Sequence, residues 1–242
     1  MFILLAGLVA AISPRLAFAV YGLAILVLPM TWIAIVEPRR TLAKQQSGHE
    51  TGTGKQGRWR LRLLGLVALQ SVTNMFFFIM PTQLPFFLDA QGYQSATLTG
   101  MTLSMLMLTG ACLALNYTRI QRAINYAGVF ALGYAAMAAG FLLLVLSPPI
   151  FLTFAGAASI GAGYALVSPT FVALTLHLAP PHRRGLAGGI LTASVFIGQF
   201  CSPLLSAPAV SGFGYDGLFL GVVVLLTTMA TGALSSTVVR PR

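Results

Sequence analysis

Apolar residues in this chain come in long unbroken runs, not in the alternation of a half-buried strand. Seven stretches, at 16–36, 63–83, 95–115, 126–147, 150–177, 186–207 and 217–238, are predominantly apolar. Each has the roughly 20 residues that a helix needs to cross a hydrocarbon core of about 30 Å. None contains Asp, Glu, Lys or Arg, any of which would cost about 2.5–3.5 kcal/mol at a helix centre. The pattern predicts seven membrane-spanning helices. A shorter apolar run, FILLAGLVAAI at 2–12, rises only about 17 Å as a helix and cannot cross alone. Ala17-Phe18-Ala19 has the form of a signal-peptide cleavage site, but no Lys or Arg precedes the run and Arg15 follows it. The run is expected to be the tail of a helix that begins further upstream.

Composition agrees with the pattern. Charged residues are 7% of the chain, hydrophobic residues 57%, and mean hydropathy is +0.87. A soluble domain carries about 25% charged residues. The net charge of +10 does not mark nucleic-acid binding, because the basic residues sit between apolar runs and not on one face of a helix. They sort by side instead. Arg39, Arg40, Lys44, Lys55, Arg58, Arg60 and Arg62 follow the first span; Arg119 and Arg122 follow the third; Arg183 and Arg184 follow the fifth; Arg240 and Arg242 follow the seventh. If the spans alternate, all of these share one face and only Arg15 lies on the other. That face is expected to be cytoplasmic, with the C-terminus inside an inner membrane. The long basic connection, 37–62, holds Ser47, Gly48, Gly52, Gly54 and Gly57 among polar residues and reads as a flexible linker.

Helices surrounded by lipid gain little from apolar contact alone, so small residues that admit close approach become informative. Gly185, Gly189, Ser194, Gly198 and Ser202 recur along the sixth span, Ala96, Gly100 and Ser104 along the third, and Ala155, Ser159 and Gly163 along the fifth. They are expected to be helix-packing positions, with a sliding contact between the third and sixth spans as the sharper reading. Pro29, Pro81, Pro169 and Pro203 lie inside spans and predict kinks. Polar residues gather in the second span. Gln70 and Asn74 share a face, Phe77 and Phe78 follow, and Gln83 comes near the outer end. With Tyr164, Ser168 and Thr170 of the fifth span, they are candidates for lining a solute cavity. Amide pairing between helices explains the same residues equally well.

No carboxylate falls inside a span: Glu37 and Glu50 lie in or beside the linker, and Asp89 and Asp216 at outer ends. His177 reads as an interfacial residue. Cys112 and Cys201 have no metal-ligand spacing and read as small packing residues. No motif for a cofactor, a metal or a nucleophilic catalyst occurs, so an enzyme is not expected.

The stretch 149–206 contains GAASIGAGYALVSPTFVALTLHLAPPHRRGLAGGILTASVFIGQFCSPLL. A Gly-rich helix, a short APPHRRG loop and a helix ending GQFCSPLL resemble the drug- and sugar-efflux-like branch of the major facilitator superfamily. Upstream, MPTQLPFFLDAQGYQSATLTG is similar to that family's seventh helix and outer loop. ALNYTRIQRAI resembles its degenerate basic loop motif, with Arg119 and Arg122 in the basic positions but without the motif's fuller glycines. AFAVYGLAILVLPMTWIAIVEPRR is similar to its sixth helix.

The resemblance implies an all-α polytopic bundle in three parts. Residues 1–36 would be the end of family helix five and helix six, 37–62 the cytoplasmic linker, and 63–242 the six-helix bundle of helices seven to twelve. The second and fifth spans would line the transport cavity. The third and sixth would rock against a second bundle, with Arg119, Arg122, Arg183 and Arg184 as basic gating-loop residues. The partners implied are a lipid bilayer, a small organic solute and a missing amino-terminal half or second chain. A non-transporting truncated membrane protein and a seven-helix ligand-sensing receptor stay open. A retinal protein does not, because the chain's two lysines, Lys44 and Lys55, are both in the linker.

Overall fold

A computed structural model of the chain describes residues 56–146 and 149–235. The stub, the first span and most of the linker lie outside the described residues, as do Arg240 and Arg242. The rest is helical: α1 (Gln56–Ala90), α2 (Ala96–Val145), α3 (Ile150–Leu178), a 3-10 turn (Pro181–Arg183) and α4 (Arg184–Ser235). No strand occurs among the described residues.

All four helices are long and apolar enough to cross a membrane, but α2 and α4 are too long to cross once. The 50 residues of α2 would rise about 75 Å if straight. Each bends back on itself at one residue. Asn125 (φ 54°, ψ 176°) breaks α2 and Gly214 (φ 71°, ψ 179°) breaks α4. We call the arms α2a (96–124), α2b (126–145), α4a (184–213) and α4b (215–235).

Contacts fix their directions. Thr109 and Gly110 of α2a meet Ala158 and Gly161 of α3, while Tyr117 meets Thr170 further along both helices, so these two run parallel. On α2b, Tyr126 meets His177, Phe130 meets Phe171, Gly133 meets Gly163 and Gly140 meets Gly156, an antiparallel order. The two arms of α2 therefore form a hairpin astride α3. Those of α4 do the same on α1. Gly198 meets Ser71 and Ser206 meets Gln83 in parallel order, and residues 202–213 line one cleft with residues 217–225.

Six rods result, arranged as two trios. One is centred on α3 and flanked by α2a and α2b; the other is centred on α1 and flanked by α4a and α4b. Each hairpin packs on the lead helix of the other half, so the chain reads as two interlocked helix–hairpin repeats, the organisation of nested repeats in membrane carriers. The trios join through Thr73–Tyr134, Asn74–Tyr164 and the ring contact of Phe141 with Phe219. The core is dense here, with Met137, Phe141, Ile160 and Leu226 fully buried.

The two hairpin turns are built alike. In INYAG (124–128) and FGYDG (213–217) the second residue takes positive φ, a tyrosine follows, and a glycine closes the turn. That glycine lies under the side chain before the turn. A Cβ on Gly128 would stand 2.9 Å from Cβ of Ile124, and one on Gly217 would stand 2.6 Å from Cβ of Phe213.

Several expectations need correction. The helix expected at 63–83 begins at Gln56 and ends at Ala90. Its arginine-bearing first turns stay helical because Trp59 and Leu63 pack on Ala179 and Ala187. The reversals fall at Asn125 and Gly214, while Pro81, Pro85, Pro169 and Pro203 lie inside helices, where the expected kinks would be bends and not breaks. Cys112 is exposed, so it is not a packing residue within the described bundle. Cys201 is half-buried.

Candidate functional site

A group of buried polar side chains runs along α1 and the residues that meet it. Asn74 is fully buried. Its Nδ2 donates to the Gln70 carbonyl at 2.9 Å, and its Oδ1 accepts the Tyr164 hydroxyl of α3 at 2.8 Å. The Tyr164 ring stacks on Phe77 with centroids 3.8 Å apart, and Phe78 meets Phe77 edge-on at 5.4 Å. Tyr164 and Phe78 are half-buried, as is Ser168 one turn along α3. One amide, two stacked rings and a hydroxyl are thus gathered at the α1–α3 crossing. Gln70 completes the group. Its side chain is buried, yet its Oε1 has no hydrogen-bond partner among the described residues. An acceptor left unmade in an apolar interior is costly.

Several other polar side chains join helices. Thr73 Oγ1 donates to the Leu69 carbonyl at 2.8 Å, which spends its one proton. Tyr134 of α2b is therefore the donor in its 2.9 Å bond to Thr73. By the same reasoning Thr170 donates to the Leu166 carbonyl at 2.8 Å and accepts from Tyr117 of α2a at 3.0 Å. Thr170 is fully buried and sits in the α2a–α3 seam. Gln83 Nε2 donates to Ser206 Oγ of α4a at 2.8 Å, which ties the outer half of α1 to the second hairpin.

Thr73, Tyr134, Tyr117 and Ser206 were not anticipated. A tyrosine, threonine or serine is ordinary in a membrane helix, so only the partner across the crossing marks each of them.

The small-residue positions divide. Gly100 and Ser194 are buried, Ser104 is half-buried, and their hydroxyls return to the Gly100 and Leu191 carbonyls at 2.7 Å in each case. A Cβ on Gly198 would overlap the Ser71 carbonyl. Gly189 meets nothing within 4 Å and is exposed, so it packs no helix of the described chain. α2a packs on α3 and α4a on α1, the consequence of the interlocked hairpins, and α2 and α4 also meet each other.

Charge separates along the bundle. Arg60, Arg62, Arg119, Arg122, Arg183 and Arg184 are exposed at the end where Tyr126 meets His177. Asp89 and Asp216, the two acidic residues among those described, are exposed at the opposite end. There Phe87, Ala90, Val145 and the Gly214 turn line a common recess.

An all-helical bundle of this length and apolarity, with its cations gathered at one end, is a multi-pass membrane protein. Residues 120–241, from the end of α2a through α4, match the Major Facilitator Superfamily. The match spans half of the chain, and the chain belongs to that superfamily, a family of transmembrane transporters. No curated protein matches the chain.

Proposed function

We propose that the described bundle is one half of a secondary carrier that exports small uncharged or amphipathic organic molecules by alternating access, in the manner of the drug- and sugar-efflux branch. The observation that carries this reading is the group at the α1–α3 crossing. Gln70 offers an unused acceptor, Asn74 and Tyr164 offer amide and phenol groups, and Phe77 and Phe78 offer ring faces. A few fixed polar groups among aromatic side chains are the usual composition of a small-molecule site. With no carboxylate nearby, the group favours a solute without a strong positive charge.

Alternating access needs a second bundle to rock against this one, supplied by another chain or by more of the same protein. Its seat is the outward side of α2a and α4a, where Met101, Met105 and Leu108 of one arm and Phe196 and Phe200 of the other are exposed. Gly189, which is exposed, would then serve that contact. The arginine end is cytoplasmic by the positive-inside bias, so the C-terminus is also inside and the Asp89–Asp216 end faces outward. Arg119, Arg122, Arg183 and Arg184 hold the loops at the cytoplasmic gate.

Efflux of a panel of uncharged and amphipathic fluorescent dyes from cells expressing the chain tests the reading. Efflux above the empty-vector level is expected. Gln70→Leu, which deletes the free acceptor at nearly constant volume, is expected to lower it about tenfold at unchanged membrane abundance, the scale of one lost polar contact. Efflux equal to the empty vector for every dye would instead favour a non-transporting membrane protein.

A further inference from the structure

The opposite face of α1 carries a second feature. Asn74 and Phe77 point to α3. Met75, Phe76 and Ile79 lie about half a turn away and form one wall of a cleft of about 220 Å³ between α1, α4a and α4b. Leu205 of α4a and Val222 and Leu225 of α4b supply the other walls. Gly221 leaves room, since a Cβ there would meet nothing within 4 Å. The cleft is open at Leu205 and Leu225, both about half exposed, on the outer surface of the described bundle.

Its one unusual group is Ser202. Serine and threonine in a helix ordinarily bond back to a carbonyl three or four residues earlier, and the other hydroxyls of α4a are all occupied. Thr192 donates to Gly188, Ser194 to Leu191 and Ser211 to Ala207, and Ser206 accepts from Gln83. Ser202 lines the cleft, is fully buried, and its Oγ has no hydrogen-bond partner among the described residues.

We propose that this cleft is a lateral binding site for a small uncharged organic molecule bearing one hydrogen-bond-accepting oxygen, held by the Ser202 hydroxyl and entered from the bilayer. Size and depth select that occupant. A cavity of about 150 Å³ admits benzene, so this one takes a ring with a short chain or an eight-carbon alcohol. A phospholipid is the poorer fit. Ser202 lies eleven residues from the end of α4a at Phe213, about 16 Å of helix rise, so an acyl chain reaching that depth brings no oxygen to the serine. The site is separate from the α1–α3 group and does not rest on the transport reading.

The chain in lipid nanodiscs, irradiated with a diazirine analogue of octanol and mapped by mass spectrometry, provides the test. Labelling is expected at Ile79, Leu205 and Leu225, reduced about tenfold by excess octanol. Ser202→Ala is expected to lower it about five- to tenfold while thermal stability holds, since the variant removes only an unpaired hydroxyl. Gly221→Leu, which fills the cleft, is expected to abolish it. The proposal is overturned if these residues label no more than Phe151 and Phe196, which are exposed elsewhere on the bundle. It is also overturned if neither variant changes the pattern, or if a phospholipid with an acyl-chain diazirine labels the same residues and octanol does not displace it.

Discussion

The two trios use the same small residues in opposite ways. Around α3, glycines meet glycines. A Cβ on Gly140 would stand 2.6 Å from the Gly156 carbonyl, one on Gly156 would stand 2.8 Å from the Gly140 carbonyl, and Gly163 faces Gly133 in the same reciprocal manner. Gly161 seats the Leu106 carbonyl of α2a. Around α1 one glycine, Gly198, bears such a contact, while Gly188, Gly189, Gly212 and Gly221 meet nothing within 4 Å. There the helices are held apart by rings, Phe87 on Tyr215 and Phe219 at 5.4 and 5.2 Å, and a cleft remains. In lipid, where apolar surface gains nothing by being buried against other apolar surface, close backbone approach is what binds helices. The α3 trio is therefore expected to be the rigid part of the bundle and the α1 trio the part that can adjust.

The strongest way to break this comparison is to give both trios the same side chain. Gly163→Val and Gly161→Val force a branched side chain into backbone atoms that cannot yield, and each is expected to cost about 3 kcal/mol or more. Gly221→Val is expected to change stability by less than about 0.5 kcal/mol. Thermal unfolding in mild detergent measures all three. Equal losses would mean that the trios do not differ in tightness.

The hairpin turns offer a second comparison, since one conformation is built with two residues. The region near φ 60° and ψ 180° costs a side-chain-bearing residue about 1–3 kcal/mol. Gly214→Ala is expected to lose stability in that range. Asn125→Gly is expected to gain about 1 kcal/mol, because asparagine now bears the strain that glycine avoids. A loss on Asn125→Gly would show that the asparagine side chain itself anchors the first turn.

The join between the trios comes next in size. Tyr164→Phe removes the hydroxyl that Asn74 accepts and leaves the stack on Phe77 intact, and Tyr134→Phe does the same to Thr73. Side-chain hydrogen bonds within membranes average about 0.6 kcal/mol and reach about 1.7. Each variant is expected to lose within that range, Tyr164→Phe the more, because it leaves a buried amide oxygen unpaired. If Tyr164→Phe loses transport far beyond its loss of stability, the phenol also touches the solute.

Much of this architecture was legible in the sequence, for a physical reason. Charge exclusion fixes where helices cross, so the spans at 95–115, 126–147, 150–177, 186–207 and 217–238 coincide with α2a, α2b, α3, α4a and α4b to within two or three turns. The reversals at Asn125 and Gly214 fall in the gaps between those spans. Helix ends were less legible, because the turns of α1 that carry Arg60 and Arg62 stand beyond the apolar run and are held by Trp59 and Leu63. At the candidate site, Gln70, Asn74 and Gln83 announced themselves as amides in an apolar run. Tyr134, Tyr117 and Ser206 did not, since an aromatic or a serine is unremarkable in a membrane helix until its partner is known. Pairing was illegible for the same reason: Gly161 and Gly189 look alike in sequence, and only the helix opposite decides that one seats a carbonyl and the other is bare.

Gly189 is the position where the smallest expected effect separates two readings. It is exposed, helical and meets nothing in this bundle. Glycine in a helix interior is less favourable than alanine by about 0.5–1 kcal/mol, so Gly189→Ala is expected to raise the unfolding midpoint slightly. If α4a faces lipid at this point, efflux should be unchanged by Gly189→Ala and by Gly189→Leu alike. If α4a instead faces a second bundle at close range, stability and transport should part company. Gly189→Leu would then keep the bundle folded and abolish efflux, with Gly189→Ala intermediate. A variant that stabilises the described helices while stopping transport cannot act inside them, so that outcome would place the working contact on the outward side of α4a.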